Sequence, residues 1–432
     1  MKETTMPHSL AYDLICDLWQ RNRNFCSTDY DFCLDHINAL IPLKIYTYPA
    51  NDIFNGWTIP PKWDLIKGEI WKDGQCIFQS TTPLNVIGLS TNFSGTVSLD
   101  TLKKHLHFDA RFPQAVPYHF RQNYRPWSRD WGFCVTQDFY NSLTEGTYEV
   151  KLVTQESEGY LKVAEHTHAG ENPETFVFVA HLDHGGMAND DLAGVAVGVE
   201  LFYRLLPKKT KFTYKFVLVQ EIIGSAYYLG KSPETQKNVL ESIFLEMLGS
   251  NTPLALQYSH REKGQLESIL AHLLKNKSGF REGAFRSVIC NDEMVWESYG
   301  IPMSSISRFP YPEYHSDLDN PSIIDQKALD ESVSMLLETI EILDQQTLMR
   351  KKFSGVVATA NPAYDLYVEP GQRAFGISVD EDQKKLRLLM DLLPILPQEC
   401  FVEQIAKDIQ APADLVLQYL LRWKEKGLIE LF

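Results

Sequence analysis

Imidazoles and carboxylates gathered at the ends of strands can hold a divalent metal, and this chain concentrates both. The stretch HLDHGGMANDDLAG, His181 to Gly194, puts two histidines and three aspartates within eleven residues, directly after the apolar run TFVFVA. Zinc takes histidine nitrogen and carboxylate oxygen, and a hydrolytic zinc site keeps one position open for water. One stretch supplies only half of such a site. Gln220-Glu221 follows the run KFVLV, Glu246 lies within SIFLEML, and His315 sits in YPEYHSDLDNP, ahead of the last long helical stretch. Each has a bland reading alone. A lone histidine is usually a surface or core residue, and Asp190 or Asp191 would serve as a helix N-cap before Leu192. Glu246 is the odd one, because an unpaired carboxylate in an apolar strand costs on the order of 2–7 kcal/mol. Together His181, Asp190, Glu221, Glu246 and His315 form a coherent set of candidate ligands.

Such residues work only if strands bring their ends together. From about residue 147 the sequence alternates strand and helix patterns. YEVKLVTQ, YLKVAEHTH, TFVFVA, FTYKFVLVQ and ESIFLEML read as strands; LAGVAVGVELFYRLL, QLESILAHLLKN and QKALDESVSMLLETIEIL read as helices. TFVFVA is continuously apolar, which suits a strand buried on both faces. The alternation predicts an α/β fold with a mostly parallel central sheet and helices on both faces, where ligands collect at the carboxyl ends of strands. Residues 9–22 place Leu10, Leu14, Ile15 and Leu18 on one helical face. Residues 50–112 are rich in Trp, Pro and Gly and contain a hairpin signal at Asp73-Gly74, predicting a small β-rich inserted domain that overhangs the cleft. Residues 366–432 read as three helices, Gly427 and a short strand, the order of a winged helix. The α/β domain is then 1–49 with 113–365.

The 432 residues are 44% hydrophobic and 22% charged, enough for a core in two or three domains. The net charge of −15 opposes attraction to nucleic acid or anionic membrane. No apolar run is long enough to span a bilayer. The N-terminal MKETTMPHSL lacks a signal peptide's apolar centre. Seven scattered cysteines without a CxxC spacing suit reduced thiols, and a cytoplasmic protein is expected.

At HLD (181–183), DDLAG (190–194), QEIIGS (220–225), LEMLG (245–249) and YHSDLD (314–319) the sequence resembles the zinc aminopeptidases of the two-metal exopeptidase clan, over roughly 175–345. The layout resembles a bacterial branch of that clan with a small β-rich insertion, a WGFC element (Trp131–Cys134) and a C-terminal winged helix. The resemblance implies one or two zinc ions. It implies that Asp190 bridges them, that His181 and Glu246 complete one position, and that His315 with Glu221 completes the other. Asp183 would orient His181. Two departures stand out. The clan's usual Glu-Glu is Gln220-Glu221 here, so Glu221 serves as base or as ligand, and Glu246 replaces the commoner Asp.

The expected function is zinc-dependent hydrolysis of a peptide or small amide, with Glu221 handling the water proton. Deacylation of a small N-acyl amine or amino sugar uses the same centre, and a degenerate fold acting as a binding protein is the third reading. Asp292 and Glu293 are candidates to hold a substrate ammonium, or Asp292 simply caps a helix. His184 reads as a pocket wall rather than an extra ligand. Residues 371–432 carry ten acidic against eight basic side chains, so packing or homo-oligomer formation suits the winged helix better than DNA contact.

Overall fold

The computed structural model describes residues 9–262, 264–369 and 380–432. The segment 1–8, read for a targeting signal, and residues 370–379 of the expected winged helix lie outside the described residues.

An eight-stranded sheet runs in the order Lys44–Pro49, Tyr160–His168, Thr213–Val219, Thr175–His181, Val239–Glu246, Met303–Ser307, Ala255–Gln257, Arg281–Gly283. Its four middle strands, 213–219 through 303–307, are parallel, and antiparallel pairs flank them on both sides. All seven residues of Thr175–His181 are buried, because each side of this apolar strand packs against helices. On one side Phe178 and Phe216 meet Phe202 of the helix Leu192–Leu205. On the other Val177, Val179, Val217 and Phe244 join Tyr227 and Trp296, from the helices Ile223–Lys231 and Glu293–Ser298. The helix 192–205 starts hard against the neighbouring strand. A Cβ on Gly194 would lie 2.3 Å from the Leu245 carbonyl oxygen, so the DDLAG glycine is a packing requirement. The parallel order leaves His181 and Glu246 at the carboxyl ends of adjacent strands.

The chain leaves this sheet at Pro49 and re-enters it at Tyr160, next to where it left. Between them lies a four-stranded antiparallel sheet, in the order Gln75–Gln79, Lys62–Lys72, Thr147–Ser157, Phe93–Ser98. The strand 147–157 therefore belongs to the small sheet and not to the α/β alternation in which the sequence pattern placed it. Its strict period of two explains this: Tyr148, Val150 and Leu152 face Trp63, Ile70 and Phe133, while the residues between them face outward. The Asp73-Gly74 turn has both residues at positive φ (49° and 78°), as a two-residue hairpin requires.

The chain divides into two compact units, Met1–Thr339 and Ile340–Phe432. In the second, the helices Glu381–Leu392, Val402–Asp408 and Ala413–Glu425 share a core around Trp423, Leu420 and Leu389. Its three-stranded antiparallel sheet has Leu348–Lys351 at the centre, between Glu399–Phe401 and Ile429–Leu431. That central strand lies ahead of residue 366, where the sequence reading began this module. Among the described residues no helix is long and apolar enough to cross a membrane.

Candidate metal centre

His181 ends the central strand with its imidazole fully buried. Its Nε2 lies 3.3 Å from Asp190 Oδ1 and 3.9 Å from Glu246 Oε1. His315 approaches from the far loop, its Nε2 at 3.1 Å from Asp190 Oδ2. His184 Nδ1 lies 3.3 Å from Asp190 Oδ1. The structure thus brings His181, Asp190, Glu246 and His315 together around Asp190. Asp183 sits behind His181, with Oδ1 at 3.3 Å from Nδ1. The same oxygen accepts the Glu221 backbone N–H at 2.9 Å, which ties two strand ends together.

Of the paired aspartates, Asp191 does the capping. Its Oδ1 accepts from Gly194 N (3.1 Å) and Met247 N (2.8 Å), and its Oδ2 from His181 N (3.3 Å). Asp190 is left free to face the imidazoles. The loop that carries it is clamped by Asp319, the last residue of YHSDLD. Asp319 accepts from the backbone N–H groups of Ala188 (3.1 Å), Asn189 (2.6 Å) and Asp190 (3.0 Å) and from the Tyr311 hydroxyl (2.6 Å). A second clamp is Arg23, fully buried, which donates to the carbonyls of Leu182 (2.9 Å), His184 (2.8 Å) and Met187 (2.9 Å).

The donor set fits a metal. His181 Nε2, His184 Nδ1, His315 Nε2, Asp190 Oδ2 and Glu246 Oε2 are buried and have no hydrogen-bond partner. Leaving such atoms dry and unpaired costs several kcal/mol in sum, at ~1–3 kcal/mol each. They also converge: ligand atoms of His181, Asp190 and Glu246 lie within 4.8 Å of one another, as do those of His184, Asp190 and His315, and those of His181, Asp183 and His184. The electrostatics agree. Burial pushes the Glu246 carboxyl well above its ordinary range, only partly offset by His181. Burial also raises Asp191, to about 8. Asp190 is buried too, yet His184, His181 and His315 hold it well below the usual carboxylate value. A divalent cation would supply the positive charge this cluster of acids is short of.

Several expectations need correction. His184, read as a pocket wall, points a ring nitrogen into the cluster. Glu221 is outside all three ligand groupings; its Oε2 lies 3.1 Å from His184 Nε2 and accepts from the Tyr124 hydroxyl at 3.0 Å. Gln220 turns into the interior, where its Nε2 donates to the carbonyls of Phe25 (3.0 Å) and Lys162 (3.1 Å). Glu293 offers nothing to an ammonium group: it is buried, with its oxygens taken by Gln257, Ser305 and the Asn291 N–H. Asp292 is equally buried, with one oxygen on the Ile222 N–H (2.9 Å) and the other unpartnered. Its neighbour Asn291 donates to Glu246 and so holds that carboxylate in place.

Two side chains of the centre reach solvent. The side chains of His315 and Glu221 are 22% and 18% exposed, while those of His181, His184, Asp190 and Glu246 are closed off. Aromatic rings frame the opening: Tyr118 lies 4.8 Å from His184, Phe120 5.4 Å from His315, and Tyr314 stacks on His315 at 3.8 Å. Tyr118, Phe120 and Tyr124 come from the excursion beyond residue 112, while within 50–112 Leu84 and Ile87 pack with Met187 of the donor loop. The excursion is held there by Tyr118 N–H on the His315 carbonyl (2.9 Å). The stretch YHFRQNY, 118–124, went unread in the sequence; its aromatic density is the one signal it carries.

Residues 12–346 match the family described as "Domain of unknown function (DUF4910)". A Clostridium acetobutylicum protein named "Putative polysaccharide biosynthesis protein with aminopeptidase-like domain" is 25% identical over 342 residues, 77% of either chain. The crystal structure of a "putative peptidase" from the same organism superposes with a TM-score of 0.75 at 21% identity, over 98% of this chain and 96% of the other. BSAP, a zinc aminopeptidase from Bacillus subtilis, superposes with a TM-score of 0.58 at 12% identity, over 78% of this chain and 96% of its own. The fold of this chain is that of the zinc aminopeptidases.

Proposed function

The chain belongs to the DUF4910 family, and from the chemistry of its centre we propose that it is a zinc-dependent hydrolase of amide bonds, aminopeptidase-like in its reaction. The observation that carries this reading is the convergence of buried, unpartnered nitrogen and oxygen donors on Asp190. Zinc bound there would lower the pKa of water toward ~7 and polarise a carbonyl. The chain's own contribution is geometric and acid–base. Asp319 and Arg23 keep the donor loop in place. Glu221 is the carboxylate at the opening, and its Oε1 carries no hydrogen bond to a described residue. It takes the proton of the attacking water and returns it to the leaving nitrogen. The aromatic rim restricts entry to a small group or a chain end.

A second reading has support of its own. The two acids that the sequence offered for an α-ammonium group, Asp292 and Glu293, are both fully buried. The rings of Tyr118, Phe120 and Tyr314 cluster beside His184 and His315, the kind of side chain that packs on a sugar ring, and the Clostridium relative is named for polysaccharide biosynthesis. Both observations favour deacylation of an N-acyl amino sugar.

The test joins metal content to turnover. Protein purified without chelator or histidine tag is expected to hold zinc, and the wild type is assayed against aminoacyl amides and N-acyl amines. Glu221→Gln should keep fold and metal and lose about 10²–10⁴-fold in turnover. A wild-type chain that binds no zinc would end the proposal.

A further inference from the structure

We infer that the second metal position is built from His184, His315 and Asp190, and that Glu221 is the carboxylate behind His184 rather than a ligand. This rests on the zinc-centre reading above and departs from the arrangement that the sequence resemblance implies, in which Glu221 itself binds. The orientation of one ring decides it. His184 Nε2 meets Glu221 Oε2 at 3.1 Å in a hydrogen bond. Its other nitrogen, Nδ1, lies 3.3 Å from Asp190 Oδ1 but in no hydrogen bond, buried and without a partner. His315 Nε2 and Asp190 Oδ2 are unpartnered too, and the three residues' donor atoms fall within 4.8 Å of one another. With Nε2–H donated to Glu221, the Nδ1 lone pair faces inward. A metal-bound histidine typically gives its second N–H to a carboxylate in this way, which fixes tautomer and ring angle. Asp183 takes a comparable place beside His181, its Oδ1 3.3 Å from Nδ1 but without a hydrogen bond.

The backbone supports the same conclusion. His184 has φ +71°, in the left-handed region, where most side chains avoid sitting. The carbonyl next to that strained bond is gripped by the buried Arg23 at 2.8 Å. A side chain that only walled a pocket would gain little from being held there. Glu221, by contrast, has Oε2 already engaged by His184 and by the Tyr124 hydroxyl, and no grouping of ligand atoms includes it.

The two positions then differ in chemistry. One offers an imidazole and two carboxylates, the other two imidazoles and a shared carboxylate, a set suited to zinc over magnesium or calcium.

The experiment counts zinc per chain after reconstitution in excess zinc and dialysis, for wild type, His184→Asn and Glu221→Gln. Asparagine tolerates the left-handed backbone, so His184→Asn preserves the loop. Two zinc ions in the wild type, one in His184→Asn and two in Glu221→Gln, with zinc affinity in the last lowered about 10–100-fold, is the expected result. X-ray absorption on the wild type gives a readout independent of any variant: about 1.5 imidazoles per zinc if His184 binds, about 1 if it does not. Two ions in His184→Asn with one in Glu221→Gln, or an imidazole count near 1, overturns the inference. A wild type that takes a single zinc removes the second position and with it this inference, while the proposed hydrolase stands on the remaining ion. A wild type that takes none removes both.

Discussion

Gln220 occupies the place where the aminopeptidase pattern has an acid, and Gln220→Glu is the substitution that asks why. Restoring the acid would look like a gain of function. The structure predicts a loss of stability instead. The amide nitrogen of Gln220 donates to the carbonyls of Phe25 at 3.0 Å and Lys162 at 3.1 Å, and the side chain is fully buried. A protonated Glu can donate to one of these carbonyls and strands the other. An orphaned buried acceptor costs ~1–3 kcal/mol, so about 2 kcal/mol is expected in acid. An ionised Glu strands both carbonyls and faces them with negative charge, so it stays protonated in the folded state. A carboxyl whose folded pKa is raised loses stability as pH climbs from the unfolded value of ~4.3 toward the folded one, by ~1.4 kcal/mol per pH unit. The penalty should therefore grow from about 2 kcal/mol near pH 4.5 to roughly 5–5.5 kcal/mol near pH 7. Urea unfolding of wild type and variant at both pH values measures it. Activity should not rise, because residue 220 faces away from the centre. A variant as stable as the wild type at pH 7, or one with enhanced turnover, would show that residue 220 faces the metals and that the inward orientation is wrong.

Two further outcomes follow from the same geometry. Tyr311→Phe removes a 2.6 Å hydrogen bond to Asp319, whose carboxyl is raised to about 7 by burial, and should cost about 1–3 kcal/mol, between the values for a neutral and a charged partner, while weakening zinc binding through the 188–190 loop; unchanged unfolding and unchanged zinc affinity would remove Asp319 from its role as a clamp. His107 is pushed down to about 4, first by burial and then by the neighbouring His119 and His105. Its depressed folded value means that stability present above pH ~6.5 is lost as pH falls toward 4, by roughly 1–2 kcal/mol once screening of the half-buried ring is allowed for. His107→Gln should flatten that part of the stability curve, and an unaltered acid limb would show that the ring titrates normally.

The parts of this protein that can be read from its sequence are those in which local chemistry and location coincide. TFVFVA announces a strand buried on both faces because four large apolar side chains follow one another with no polar residue between them. Glu246 announces itself because a carboxylate at the end of an apolar strand has no structural reason to be there. His181, Asp190 and His315 sit at boundaries where a parallel sheet opens, so their types and positions speak together. The strand 147–157 went to the wrong sheet because its neighbours in sequence lie in the α/β layer while its partners, 62–72 and 93–98, are reached only by folding back.

What the sequence withholds is direction. His184 and Glu221 are each three or fewer residues from a strand end, and nothing in their types says which one turns a donor atom into the cluster around Asp190. That choice depends on a backbone turned to φ +71°, and on Arg23, about 160 residues away in the chain, holding the turn. Within YHSDLD the same ambiguity recurs: Asp317 accepts from the Val116 N–H at 2.8 Å and anchors the aromatic segment, while Asp319 clamps the donor loop. Either aspartate, judged by type and spacing, could have been a ligand. Asp292 and Glu293 fail as an ammonium anchor for the opposite reason. They are acids in a chain segment that looks like a loop, and only the packing around them shows that Glu293 is spent on Gln257 and Ser305 and that Asp292 is buried with one oxygen on the Ile222 N–H. A carboxylate's identity gives its chemistry, but its partners give its task, and in this centre those partners come from distant segments that carry no metal signal of their own.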